Sequence, residues 1–172
     1  MERQNVDHPP GIHVDDVVIR PATEADAQAI GHLWEKLVSY HHNLDTDLPT
    51  ATGDGAGIYG RRIANRIEDS HTRALVAEHD GQVIGFALGV IVDMMPEMFE
   101  QETGGFLADI FIEDRYRRLG VGRRLVHEIG QWFRSRGIQH MEWYVAARNR
   151  AGRDFWESIG GRDIMVRMRM EL

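Results

Sequence analysis

The sequence predicts a mixed α/β (α+β) fold, and three observations carry that expectation. Apolar residues recur at helical spacing in Ile30–Leu37 and again in Val121–Phe133. Strand-like runs stand at 73–78, 82–92 and 106–112. The elements interleave in the order β-α-α-β-β-β-α-β-α-β, which calls for helices packed on a sheet. A chain of 172 residues suits one domain, 16–172, behind a leader at 1–15, and 42% hydrophobic residues are enough for a core.

Pro9, Pro10, Gly11 and scattered charges give the leader no periodicity, so it is expected to be flexible. Val17–Arg20 is a short strand closed by Pro21. Thr23 can cap the following helix with Asp26 at the capping-box distance, and Ile30, Leu33, Trp34 and Leu37 give it an apolar stripe to about Ser39. The stretch 44–57 is turn-rich, after which Ile58, Ile63 and Ile67 suggest a second short helix. Two strands, 73–78 and 82–92, meet at His79-Asp80-Gly81, where Asp-Gly favours a tight hairpin. A Met-rich connection (93–103) leads to a strand at 106–112. The helix over 119–136 is amphipathic and Gly137 stops it. A strand at 140–145, a helix at 149–159 ended by Gly160-Gly161, and the alternating Ile164–Met170 as a terminal strand complete the chain.

Composition excludes several classes of function. The chain has no cysteine, so disulfide scaffolds, thiolate nucleophiles and Cys-ligated metal sites are out. No apolar run is long enough for a membrane span, and the first residues lack the apolar stretch of a signal peptide, so a cytoplasmic location is expected. A net charge of −7 argues against nucleic-acid binding. That charge is uneven. Through Ile112 there are 7 basic and 19 acidic residues, and beyond it 13 and 8, which suggests an anionic partner for the C-terminal part and a cationic one for the N-terminal part.

The stretch from Ala108 to Leu125 carries the chemistry. A strand passes through an Arg-rich turn containing Gly120 and Gly122 into an amphipathic helix. Free N–H groups and the positive end of the macrodipole favour an anion at such a helix start, and Arg117, Arg118, Arg123 and Arg124 are available for charge-assisted hydrogen bonds. A dinucleotide fingerprint would need a third glycine and a P-loop would need Gly-Lys-Ser/Thr, and neither is present. A plain glycine-containing helix start with solvated arginines is the structural alternative.

Arg117-Arg118-Leu119-Gly120-Val121-Gly122 resembles the acetyl-CoA signature Gln/Arg-x-x-Gly-x-Gly/Ala of the GCN5-related N-acetyltransferases (GNAT). Asn149, Ala151, Phe155-Trp156 and Gly160 are similar to a second motif of that family, and the likeness runs over about Val17 to Leu172. The resemblance implies a GNAT-like acyl-CoA N-acyltransferase fold, a mostly antiparallel central sheet flanked by helices. It implies acetyl-CoA as co-substrate and no metal. Main-chain groups of Ile110, Phe111 and Ile112 would meet the pantetheine arm and acetyl carbonyl, the N–H groups of Arg118, Leu119, Gly120, Val121, Gly122 and Arg123 would hold the pyrophosphate beside Arg117, and Asn149, Phe155 and Trp156 would contact the coenzyme arm. A main-chain N–H aimed at a thioester oxygen stabilises the charge that develops there on attack.

The implied reaction, acetyl transfer to a primary amine of a small molecule or peptide, needs a proton acceptor, since an alkyl amine at pH 7 is free base only to about one part in a thousand. Relatives carry a Glu-Asp pair where this chain has Ala108-Asp109, leaving Asp109 as amine anchor or base, or as a structural carboxylate. Glu142, Glu102 and His41 are weaker alternatives. Relatives also end the aromatic pair in Tyr, which can protonate the departing thiolate. Trp156 has no such group and reads more simply as core, so Tyr144 or Tyr116 is expected to substitute. The acceptor would enter past Trp34 and the loop near Tyr40-His41-His42, with Asp45, Asp47 and Asp54 attracting a cation. The adjacent histidines lack a third ligand for a metal. Met94, Met95, Met98 and Phe99 could form an apolar lid, a homodimer contact or ordinary packing. A non-catalytic acyl-CoA-binding module is the alternative to an enzyme.

Overall fold

The protein is described from a computed structural model covering residues 12–93, 98 and 102–171. Four helices, α1 (Ala27–Leu44), α2 (Gly55–Ala64), α3 (Val121–Ser135) and α4 (Arg150–Ser158), accompany five strands, β1 (Val18–Pro21), β2 (Thr72–His79), β3 (Gln82–Asp93), β4 (Thr103–Ile112) and β5 (Met141–Glu142). The strands form one sheet in chain order, antiparallel except for the parallel pair β4–β5. The class and the mostly antiparallel sheet are as expected from the sequence.

Alternation along the strands sorts the core into two layers. Ala74 and Val76 of β2, Phe86 and Leu88 of β3 and Phe111 of β4 face α1 and α2, where Ile30, Leu33, Leu37, Tyr59 and Ile63 cover them. Leu75, Ala77, Ile84, Ala87 and Leu107 face the other way, onto Val121, Leu125, Ile129 and Phe133 of α3. The Asp-Gly hairpin forms as the sequence predicts, with Asp80 and Gly81 both at positive φ (49° and 74°).

Several boundaries differ from the expectation for physical reasons. Residues 1–11 of the leader lie outside the described residues, but Val14–Asp16 form a 3-10 turn and Ile12 and Val14 pack on the core, so order begins before residue 16. Helix α1 continues past Ser39 to Leu44, which places Tyr40, His41 and His42 on its last turns rather than in a loop. In α2 the buried face is Tyr59, Gly60 and Ile63, whereas Ile58 is exposed and Ile67 follows the helix end. Strand β5 stops at Glu142, where Trp143 leaves the sheet to stack on Trp156 at 4.5 Å.

The expected terminal strand is absent. Residues 162–171 make no ladder with any described strand, and Ile164, Met165, Val166, Met168 and Met170 are all exposed. Alternation specifies which faces a strand would show, but a strand also needs a neighbour for its N–H and C=O groups. Of the Met-rich connection only Met98 is described and it is exposed, so the lid or dimer role expected of Met94, Met95 and Phe99 lies outside the described residues.

Candidate functional site

The site begins with a register shift. Leu88 pairs with Asp109 while Gly89 pairs with Leu107, so Ala108 is an extra residue that bulges β4. On its other edge β4 pairs with β5 only at Gly105–Met141 and Phe106–Glu142. Beyond Phe106 the two strands part, and the main chain of residues 108–112 borders a gap among the described residues. Ile110, Phe111 and Ile112 lie along that border.

At the end of β4 the chain turns through Arg118 (φ 63°) and Gly120 (φ 90°) into α3. Two left-handed residues flanking Leu119 curl the backbone, and the first N–H groups of α3 follow at once, an arrangement suited to an anion. Gly120 carries no Cβ into that space. Gly122 sits where a Cβ would come within 3.1 Å of the Ile112 side chain and 3.5 Å of Phe155, so α3 packs closely on the strand end and on α4.

The arginines divide into two roles. Arg118 is exposed, and Arg123 is exposed with a contact to Ser158 Oγ at 3.3 Å. Arg124 instead donates to the carbonyls of Val14 and Val17 (2.7 and 2.8 Å), binding the N-terminal segment to α3 and leaving the anion position. Arg117 lies with its guanidinium over the rings of Tyr40 (5.1 Å) and Phe111 (5.2 Å), donates from Nε to the Ile112 carbonyl (3.0 Å) and pairs with Asp114 (3.0 Å). It holds the strand end in place, and the Ile112 carbonyl is taken by it.

Asp109 follows the bulge and points at α2, where Tyr59 donates its hydroxyl to Oδ2 at 2.7 Å. Burial pushes the Asp109 carboxyl up to about 6, against the opposing pull of the Tyr59 hydrogen bond. Burial and the adjacent carboxylate push the Tyr59 hydroxyl upward, so it stays a donor. Tyr59 lies almost parallel to Trp34 at 4.8 Å. Gly60 permits this: a Cβ there would fall 2.3 Å from the Ala27 carbonyl, so α2 can pack against α1 only without one. Sequence reading missed Tyr59. The available signal was its i, i+4 relation to Ile63 on one helix face.

Of the other expected residues, Asn149 caps α4, its Oδ1 accepting from the Gly152 N–H (2.9 Å) and the Tyr40 hydroxyl (3.3 Å). Phe155 is half-buried beside Gly122. Trp156 is buried between Trp143 and Phe155, a core residue rather than one facing a ligand. Tyr144, expected as the acid, is exposed and meets the edge of Phe106 at 5.4 Å. Tyr116 is buried in the opposite layer against His79 Nδ1 (3.2 Å). His41 is half-buried, and burial holds its pKa below the usual value. His42 turns to the Leu48 carbonyl, so the two rings diverge, and among the described residues no cluster could hold a metal.

The acidic loop is engaged internally. Asp45 pairs with Arg148 (3.3 Å), Asp54 with Arg61 (2.9 Å), and the Asp47 carbonyl accepts from Arg169 (3.1 Å). The carboxylates of Asp45 and Asp54 are thus met by arginines of the chain itself, whereas at Asp47 it is the main-chain carbonyl that is engaged. Glu102 likewise lies 3.4 Å from His140. No described helix is long and apolar enough to cross a membrane.

Known proteins share this fold. A point mutant of the BH1408 protein from Bacillus halodurans superposes with a TM-score of 0.81 at 18% identity over 90% of this chain and 99% of its own. A predicted acetyltransferase from Clostridium acetobutylicum, solved with acetyl-CoA, gives 0.72 at 14% identity over 90% and 96%. AAC(6')-Iy, solved with the bisubstrate analogue CoA-S-monomethyl-acetylneamine, gives 0.67 at 22% identity over 90% and 99%. No curated protein matches in sequence. The profile described as "Acetyltransferase (GNAT) family" matches residues 37–160, from the end of α1 through α4, and the chain belongs to that family.

Proposed function

We propose that the protein transfers an acetyl group from acetyl-CoA to a primary amine of a small molecule or peptide by direct attack on the thioester. The observation that carries this reading is the junction at β4: a bulge puts a buried carboxyl, pushed up to about 6, at the border of a gap that ends in a turn whose curled backbone and helix start suit an anion. The residues fit an acyl-CoA, because the turn curls through positive φ at Arg118 and Gly120 into the start of α3 and the strand edge beside it is unpaired among the described residues. Acetyl-CoA, when bound, supplies an acyl carbon open to attack.

The N–H groups from Arg118 to Arg123 hold the diphosphate, and exposed Arg118 and Arg123 add charge. Main-chain groups at residues 110–112 orient the arm. Asp109, ionised above about pH 6, accepts the amine proton, and Tyr59 fixes its direction. Trp34 forms the aromatic wall behind that pair.

We assign the protein to the cytoplasm, without nucleic-acid or membrane partners. A homodimer would form through the exposed Ile164–Met170 segment, whose alternating side chains suit an added strand. The test is thiol release from acetyl-CoA across a panel of amines. Release that depends on an amine is expected. Tight acetyl-CoA binding with no turnover on any amine would instead establish the acyl-CoA-binding module.

A further inference from the structure

We propose that Tyr40 is the acid that protonates the departing sulfur, in place of the tyrosine that Trp156 displaces. The inference rests on the acetyl-transfer reading and concerns a residue that reading leaves unused. The chain has four tyrosines, and the structure accounts for each. Tyr116 is buried in the opposite layer on His79. Tyr59 is committed to Asp109. Tyr144 stands 84% exposed at the edge of Phe106. Tyr40 alone reaches across the coenzyme gap: from α1 its hydroxyl donates to Asn149 Oδ1 at the N-terminus of α4. Its ring covers the Arg117 guanidinium, which in turn lies over Phe111 of β4.

Phe111 shares a sheet face with Asp109 and lies between it and the anion turn. Tyr40, held between Asn149 and the Arg117–Phe111 stack, therefore borders the stretch between Asp109 and the turn, where the thioester sulfur would lie on the acetyl-transfer reading. At 3.3 Å the bond to Asn149 is long and easily exchanged for a better acceptor. The groups facing Tyr40 are the Arg117 guanidinium, from the turn after β4, and the His41 ring on its own helix, with Asn149 from α4 as its hydrogen-bond partner.

As the amine nitrogen bonds to the acetyl carbon, the C–S bond breaks and sulfur leaves with the electron pair. The Tyr40 hydroxyl gives its proton to that sulfur and regains one from solvent, while the amine proton passes to Asp109, which then releases it to solvent. Product CoA and an amide result, with atoms and charge balanced.

The test compares wild type with Tyr40→Phe, which keeps the ring and its stacking. Bound CoA is titrated by its thiolate absorbance, a readout independent of turnover. A free thiol titrates near about 8.5, and a hydroxyl donating to the sulfur should hold the bound thiol about one unit lower in wild type than in the variant. Acetyl-CoA affinity by calorimetry and the thermal midpoint should be unchanged, and kcat should fall about tenfold with KM for acetyl-CoA unmoved. Equal thiol titrations in the two proteins overturn the assignment even if both transfer acetyl groups. Lost coenzyme affinity with kcat preserved also overturns it, since Tyr40 would then serve only to position Asn149. A thiol shift in a protein that acetylates no amine overturns the transfer reading and, with it, the need for a donor.

Discussion

Asp109 serves two opposing demands. Accepting an amine proton near neutrality requires a carboxyl well above its ordinary pKa, and burial behind Tyr59 raises it to about 6. The same burial makes ionisation costly to the fold. Its folded pKa lies above the unfolded one, so the protonated carboxyl is favoured in the native state. That stability is fully present below about pH 4 and is lost as pH rises through about 6. Asp109→Asn should therefore melt higher than wild type at pH 7–8, with the difference vanishing toward pH 4. Comparing the two proteins at each pH cancels the opposite trend from His41, whose lowered pKa favours the neutral ring at higher pH. The variant should lose about 10²–10³ in kcat, and the acid limb of the wild-type kcat/KM profile should fall near pH 6. A destabilised Asp109→Asn would show that the carboxylate holds the fold.

At the scale of elements, the turn into α3 and the approach of α2 to α1 set where chemistry can occur. A Cβ on Gly120 would touch the Val14 side chain at 3.8 Å, an ordinary contact, but φ there is 90°. Gly120→Ala should therefore cost about 1–2 kcal/mol through backbone strain, and by relaxing the turn it should weaken acetyl-CoA binding, a loss calorimetry would read. Gly60 differs, because a Cβ would strike a backbone carbonyl that no rotamer change can move. Gly60→Ala should cost about 1–3 kcal/mol, and by shifting Tyr59 off Asp109 it should lower kcat more than coenzyme affinity.

The two glycines also mark what the sequence could disclose. Helix α3 and its turn were legible because Val121, Leu125, Ile129 and Phe133 keep one period and the Gly-x-Gly spacing is local. The Tyr59–Asp109 pair was not, because it joins residues fifty apart through a helix whose inner face is built around Gly60. Ile164–Met170 was misread for a related reason. Alternation is a property of a segment, but pairing belongs to two.

For the whole molecule, the uneven charge along the sequence is undone by folding. Arg148 and Arg169, from the basic half, meet Asp45 and the Asp47 carbonyl, while Lys36 pairs with Glu113 across β4. The tightest knot is Arg20, which binds both oxygens of Asp26 (2.7 and 2.8 Å) and also Glu78 Oε2 (2.6 Å), tying β1 and β2 to the start of α1. Thr23 adds its N–H and hydroxyl to the same Asp26 oxygen, so the expected capping box doubles as the anchor between sheet and helix layer. The hydrogen bonds from Arg20, more than those from Thr23, hold the Asp26 carboxyl down to about 2. A depressed carboxyl contributes stability that is present above about pH 4 and lost as pH falls through about 2. Arg20→Met should leave Asp26 buried without its cation and cost about 2–3 kcal/mol at pH 7, below the usual loss for a broken buried pair because Arg20 is itself about one-third exposed. The deficit should shrink as Asp26 protonates, so denaturant midpoints of the two proteins should converge between pH 4 and 2. A deficit that stays constant to pH 2 would mean that the charge on Asp26 does not set the difference between the two proteins.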